Sequence, residues 1–220
     1  MFIFSNFFIL NSMSENSSET RKKILQSAQA EFLEKGFTNA SLRTIASNAN
    51  LTTGAMYRHF KDKDSLFCAL VDDVIDYVQN LVTSVGIEMY KNEKNVFSAE
   101  HNQKERQIMH DLIEHIYSHF DAYTLLLTKA AGSTHENFLT ETCDLYTETC
   151  IKILDWMCSE HPSLKKIDRL TVHFVASSLI NALAEIVFHK IPKDEVYGFI
   201  DNIQEFSSSG LMHIIGAPLN

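Results

Sequence analysis

The chain of 220 residues is long enough for a small domain followed by a medium-sized one. With 45% hydrophobic and 21% charged residues it has the balance of an ordinary globular protein, and its 7 Gly and 3 Pro are too few for a sheet-rich fold with many tight turns. The formal net charge of −9 argues against nucleic-acid binding by the chain as a whole, yet residues 19–64 hold eight Lys/Arg against five Asp/Glu while the remainder holds eleven against twenty-three. A basic head on an acidic body is the asymmetry expected when one end of a molecule meets phosphate.

The first twelve residues, MFIFSNFFILNS, are apolar but have no positive n-region and no small-residue cleavage site after them, so they do not read as a signal peptide. Residues 1–18 are expected to form a flexible tail, the part before Met13 being a start artefact or a disordered extension. From Thr20 the pattern is helical: Ile24, Ala28 and Phe32 recur every four residues, with Leu25 and Leu33 beside them, and Lys35-Gly36 stops the helix. Ser41 is a good N-cap for a helix over residues 42–49, lined inward by Leu42, Ile45 and Ala49. Asn50 suits a left-handed turn, Leu51 plugs the corner, and Thr52 caps a second helix from Thr53 to Phe60 with Met56 and Phe60 facing in. Two short helices about such a turn are a helix-turn-helix.

Asp62 caps a long helix, with Leu66, Leu70, Val74, Val78 and Val82 at period four, expected to reach about residue 90. Residues 91–103 read as a polar loop. Further helices are expected over 104–119, 121–131 (stopped at Gly132), 135–160, 167–190 (stopped at Pro192) and 193–215. The total is nine helices and no strand, an all-α chain: tail 1–18, helix-turn-helix domain 19–65, and a larger helical domain 66–220. No stretch reaches about 18 uninterrupted apolar residues, the length a membrane span requires. Cys68, Cys143, Cys150 and Cys158 form no C-x-x-C pair and read as reduced thiols of a cytoplasmic protein.

Residues 45–66, IASNANLTTGAMYRHFKDKDSL, carry the most specific signal. Ile45-Ala46, the Ala49-Asn50-Leu51-Thr52 turn, Gly54, Tyr57-Arg58-His59-Phe60 and Lys63-Asp64-Ser65-Leu66, preceded by Phe32 to Phe37 (FLEKGF), resemble the DNA-binding domain of the TetR family of bacterial regulators. Asn50 stands where that family usually has Gly, a departure the left-handed tolerance of Asn accommodates. The resemblance covers about a quarter of the chain.

On the second short helix, Thr53, Gly54, Ala55 and Arg58 point away from Met56 and Phe60, and they are the candidate base readers together with Arg43. Gly54 and Ala55 let a helix sit deep in a groove, Ala55 is suited to a thymine methyl, and Arg58 or Arg43 to a bidentate contact with guanine. Ser41, Thr44, Thr52, Tyr57, His59 and Lys63 supply donors for phosphate oxygens. The resemblance further implies a C-terminal domain that binds a small-molecule effector, and a homodimer formed by the last two helices that reads a palindromic duplex operator, with repression the family's habit. Large side chains on the middle helices, Tyr117, Phe120, Tyr123, Phe138, Tyr146, Trp156 and Phe174, are candidate pocket residues.

His115 and His119, at i and i+4 with Asp111 on the same face, have spacing that suits a divalent metal, so a metal-responsive regulator of the same fold is the alternative. A protein-interaction module that has lost DNA binding is a further alternative. No Ser/His/Asp order, Gly-rich phosphate loop or H-E-x-x-H is present, which leaves no motif for catalysis, and no cofactor is expected.

Overall fold

The computed structural model describes residues 3–85, 88 and 96–217. The described residues form nine α-helices and no strand. They divide into two compact units: residues 1–72 with 128–136, and residues 73–127 with 137–220.

In the first unit, α1 spans Ile3–Asn39, starting well before the expected Thr20. No Gly or Pro stands before Gly36, so no breaker halts the helix on its N-terminal side. Gly36 interrupts it as expected, at φ 73°, beyond which Phe37 folds back to lie 5.9 Å from Phe32, ring to ring. Phe67 meets both rings edge-on at 5.3 and 5.4 Å, and this trio is the centre of the unit. Around it Ile24, Ala28, Ile45, Met56 and Leu66 are almost completely buried.

The helices α2 (Leu42–Asn48) and α3 (Thr53–Met56) follow, and α4 (Lys63–Asn80) runs out of this unit after Asp72. The α3 helix is shorter than the expected Thr53–Phe60. Arg58 N and His59 N donate to carbonyls three residues back, Ala55 and Met56, so the last turn tightens into 3₁₀ geometry. The Asp62/Ser65 capping box then starts α4: Ser65 N donates to Asp62 Oδ1 at 2.7 Å and Asp62 N to Ser65 Oγ at 3.1 Å.

In the second unit α4 ends in a wider π turn, Leu81–Val85; the expected continuation to residue 90 lies largely outside the described residues. The next helix, α5, spans Ala99–Ser118 and so takes in residues 99–103 of the expected loop. Ser98 causes this, its side chain accepting from His101 N as an N-cap. The short α6 (Phe120–Thr124) also passes into a π turn, Leu125–Lys129. Gly132, at φ 88°, opens the loop to α7 (Phe138–Glu160). The last pair is α8 (Arg169–Phe188), capped by Asp168, and α9 (Lys193–Ile215), closed by left-handed Gly216. Within this unit α8 packs along α7 and α9, and α9 also packs on α5. All four cysteines are free.

Candidate nucleic-acid interface

The turn between α2 and α3 is a full Schellman motif. Asn50 takes φ 58°, Leu51 N donates to Ala46 O at 2.9 Å and Asn50 N to Ser47 O at 3.0 Å, so the last carbonyls of α2 are satisfied. Ser41 and Thr52 cap α2 and α3, each accepting through its hydroxyl from the amide three residues on, Thr44 N and Ala55 N. Two bonds tie α2 to α1: Ser27 Oγ donates to Ile45 O at 2.9 Å, and the buried Glu31 carboxylate accepts from Ser41 N at 3.0 Å. The angle of the helix pair is therefore set by hydrogen bonds as well as by packing.

This frame presents the candidate base readers outward. Arg43, Gly54 and Arg58 are exposed, Thr53 and Ala55 half-buried, while Met56 and Phe60 face the core. A Cβ added at Gly54 would meet nothing, so its missing side chain serves an approach from outside and not a neighbour within.

Among the phosphate donors, Thr44, Thr52 and Tyr57 are exposed and Ser41, His59 and Lys63 half-buried. Lys63 is already engaged: its ammonium donates to Thr38 O at 3.0 Å and Ala40 O at 3.1 Å and lies 4.8 Å from the centre of the Phe37 ring. One of its three N–H donors is left for an outside acceptor. Arg21 lies over Phe60 at 5.0 Å, bringing a further cation to this unit that the motif spacing does not reveal.

The second unit contains a cavity of about 490 Å³. Its walls are mainly apolar, from Val78 of α4, Val82 of the π turn after it, Leu112 and Ile116 of α5, Leu154 of α7, and Ala176, Leu179 and Leu183 of α8. Tyr123, Phe138 and Tyr146 of the sequence candidates line it. Tyr117, Phe120, Trp156 and Phe174 do not. Tyr117 donates to Ile191 O and stacks with Phe120 at 5.9 Å; Trp156 packs against the cluster of Val96, Leu154, Met157 and Leu164; Phe174 is 70% exposed. Among the polar groups of the wall, Glu105, Tyr146 and Cys150 influence one another. Burial, reinforced by the Glu105 charge, pushes the Cys150 thiol up to about 12, and proximity to Cys150 together with burial holds the Tyr146 phenol well above its ordinary value. Both groups are therefore neutral hydrogen-bonding partners at neutral pH.

The Asp111, His115 and His119 donors do not converge among the described residues. The His115 ring lies flat on Tyr77 with centroids 3.6 Å apart and stacks with His119 at 4.2 Å. Its Nδ1 is 3.0 Å from Tyr123 Oη, and His119 Nδ1 is 3.0 Å from His115 O, while Asp111 accepts from Gln107. Stacking two imidazoles face to face turns their nitrogens sideways instead of toward a common ion. Burial, with the adjacent His119 charge, lowers the pKa of His115.

Comparison with known proteins agrees with the helix-turn-helix. Residues 24–70 match the family model of the bacterial regulatory proteins of the tetR family. The chain is 31% identical over 84 residues to YdgC, an uncharacterized HTH-type transcriptional regulator of Bacillus subtilis, covering 38% of this chain and 43% of that one. It is 42% identical over 55 residues to the HTH-type transcriptional repressor BepR of Brucella suis, covering 25% of this chain and 26% of that one. The chain thus spans less than half the length of these curated relatives. Among solved structures, NalD of Pseudomonas aeruginosa, the secondary repressor of the MexAB-OprM multidrug efflux pump, has a similar fold, with a TM-score of 0.59 at 20% identity over 89% of this chain and 97% of that one. With its two short helices, their left-handed turn and their outward basic face, the N-terminal segment of this chain, residues 24–70, is a domain of the kind found in the bacterial regulatory proteins of the tetR family.

Proposed function

We propose that the protein is a cytoplasmic, homodimeric transcriptional repressor that binds a palindromic operator and is released by a small-molecule effector. The observation that carries this reading is the exposed face of α3 and its flanks, where Arg43, Gly54, Tyr57 and Arg58 stand outward on a frame held by the Schellman turn and the bonds from Ser27 and Glu31. Arginines suit guanine edges, and hydroxyl and imidazole donors suit phosphate. The relatives are transcriptional regulators, and BepR is a repressor.

Dimerisation is supported by α8 and α9. Leu170 and Phe206 are each 76% exposed and Phe174 70%, and Ile214 is also exposed, an unusual outlay of large apolar groups for a lone chain. By length and mean hydropathy α8 also meets the criteria for a membrane-crossing helix. His173, Ser177, Ser178, Asn181 and Glu185 interrupt it, and a subunit interface accounts for its apolar exposed face. The effector would occupy the 490 Å³ cavity, whose size suits a drug-sized molecule and whose walls suit an apolar one with a polar group directed at Tyr146 and Cys150.

A band-shift and footprinting experiment tests the reading, using duplexes from the DNA flanking the protein's own coding sequence. Protection of two half-sites about 34–36 Å apart by one dimer is expected. Failure to retain any such duplex at low salt, where phosphate contacts are strongest, would overturn it.

A further inference from the structure

The first unit holds a side-chain cluster that neither DNA reading nor effector binding uses. Asp64, Cys68 and Asp72 stand at i, i+4 and i+8 along α4, in a single stripe. The α6–α7 loop comes down on that stripe. Thr134 N donates to Asp64 Oδ1 at 2.8 Å, the Thr134 hydroxyl donates to Asp64 Oδ2, and Thr38 Oγ1 anchors the loop at Ala131 O. These bonds bring His135 over α4. Its Nε2 lies 3.4 Å from Cys68 Sγ and 3.5 Å from Asp72 Oδ1, and the three donor atoms are all within 4.8 Å of one another.

Two features separate this arrangement from an ordinary surface contact. A proton relay of the cysteine–histidine–carboxylate kind would place thiol and carboxylate on opposite ring nitrogens. Here sulfur and carboxylate oxygen both face Nε2, so the three lone-pair donors converge on one point. The two distances from His135, 3.4 and 3.5 Å, also fit an ion: a tetrahedral zinc with bonds of about 2.3 Å to sulfur and about 2.0 Å to nitrogen and oxygen holds its donors roughly 3.3–3.6 Å apart. The charges agree. A thiolate beside the Asp72 and Asp64 carboxylates is a concentration of negative charge, and among the described residues neither carboxylate pairs with a lysine or arginine.

We propose that Cys68, Asp72 and His135 form a binding site for a divalent cation of the zinc class, which clamps the α6–α7 loop onto α4. A thiolate, an imidazole and a carboxylate are the donor set zinc favours over calcium or magnesium. Water completes the tetrahedron, since both oxygens of Asp64 are held by Thr134. The chain leaves the first unit after Asp72 and again after Glu136, so the ion ties together two of that unit's exits.

Cobalt(II) titration of the full-length protein tests this directly. One equivalent should give a sulfur-to-cobalt charge-transfer band in the near ultraviolet with the intense visible bands of tetrahedral cobalt, and zinc should bleach both. Cys68→Ser should abolish the charge-transfer band, and His135→Ala and Asp72→Asn should each weaken binding by about tenfold or more. The double variant His115→Ala/His119→Ala should bind as the parent does. Hydrogen exchange provides a second reading independent of colour: zinc should slow exchange of residues 131–136 in the parent and not in Cys68→Ser, with circular dichroism of the metal-free proteins showing equal helicity. A charge-transfer band that survives Cys68→Ser, or cobalt binding lost only with the His115/His119 pair, would overturn the proposal.

Discussion

At the scale of single residues, exposed donors and buried titratable groups have different consequences. Arg58 is exposed and its side chain has no partner among the hydrogen bonds and ion pairs of the described residues, so Arg58→Ala should leave the melting temperature unchanged. Operator affinity should fall by about 1–3 kcal/mol if the guanidinium reads a base, with loss of discrimination at one position, measured by fluorescence anisotropy against single-base operator variants. Tyr57→Phe should instead weaken all duplexes alike, as loss of a phosphate donor does. His115 gives a pH-dependent case. Its imidazole, half-buried against Tyr77 and Tyr123, has a folded-state pKa below the unfolded value, so the unfolded chain binds the proton more readily. The contribution from neutral His115 is present above the unfolded pKa of about 6.5 and is lost as pH falls through the folded value. The urea midpoint should therefore drop on acidification from about pH 7.5 to about pH 5.5, and drop less in His115→Gln. An equal drop in both proteins would show that other groups govern the acid limb.

At the scale of elements, the glycines and caps around the helix-turn-helix separate folding from recognition. Gly54 stands at the exposed front of α3 with open space around its Cβ position, whereas Gly132 holds φ 88° with its Cβ position 2.8 Å from Thr38 Oγ1. Gly54→Ala should leave stability unchanged or slightly raised and reduce operator affinity if α3 lies deep in the groove. Gly132→Ala should lower stability, through left-handed strain of about 1–2 kcal/mol and a steric clash that displaces the loop from α1. Thermal melting beside anisotropy distinguishes the two. Thr52→Ala removes the cap on Ala55 N and should cost about 1 kcal/mol of stability, because α3 is too short to hold its first turn without it.

At the scale of the whole molecule, the exposed apolar surface of α8 and α9 carries the prediction. Phe206→Asp combined with Leu170→Asp should convert a dimer into a monomer in sedimentation velocity at micromolar concentration. A solvent-facing charge is cheap in an isolated chain, but in an interface it is a buried, unpaired ion. Operator binding should fall with it, since two half-sites held by one dimer gain from effective concentration. A double variant that sediments with the parent would move the interface elsewhere.

The sequence alone determined the helical class, the start of α2, the two caps at Ser41 and Thr52, the left-handed Asn50 and the outward position of Gly54 and Arg58. All of these depend on interactions within a few residues, which period, capping chemistry and turn preference encode directly. Tertiary structure decided what depends on distant partners. That two of the three N–H donors of Lys63 are taken up, by Thr38 O at the end of α1 and by Ala40 O just beyond it, is set by residues more than twenty positions away. Tyr123, Phe138 and Tyr146 join one cavity while Phe174, at equally helical spacing, faces outward, because rotation of each helix about its neighbours is set by packing across the unit. The cluster of Cys68 and Asp72 with His135 is hidden for the same reason: two members are one helical turn apart, but the third is 67 residues from Cys68 and arrives only when the loop closes on α4.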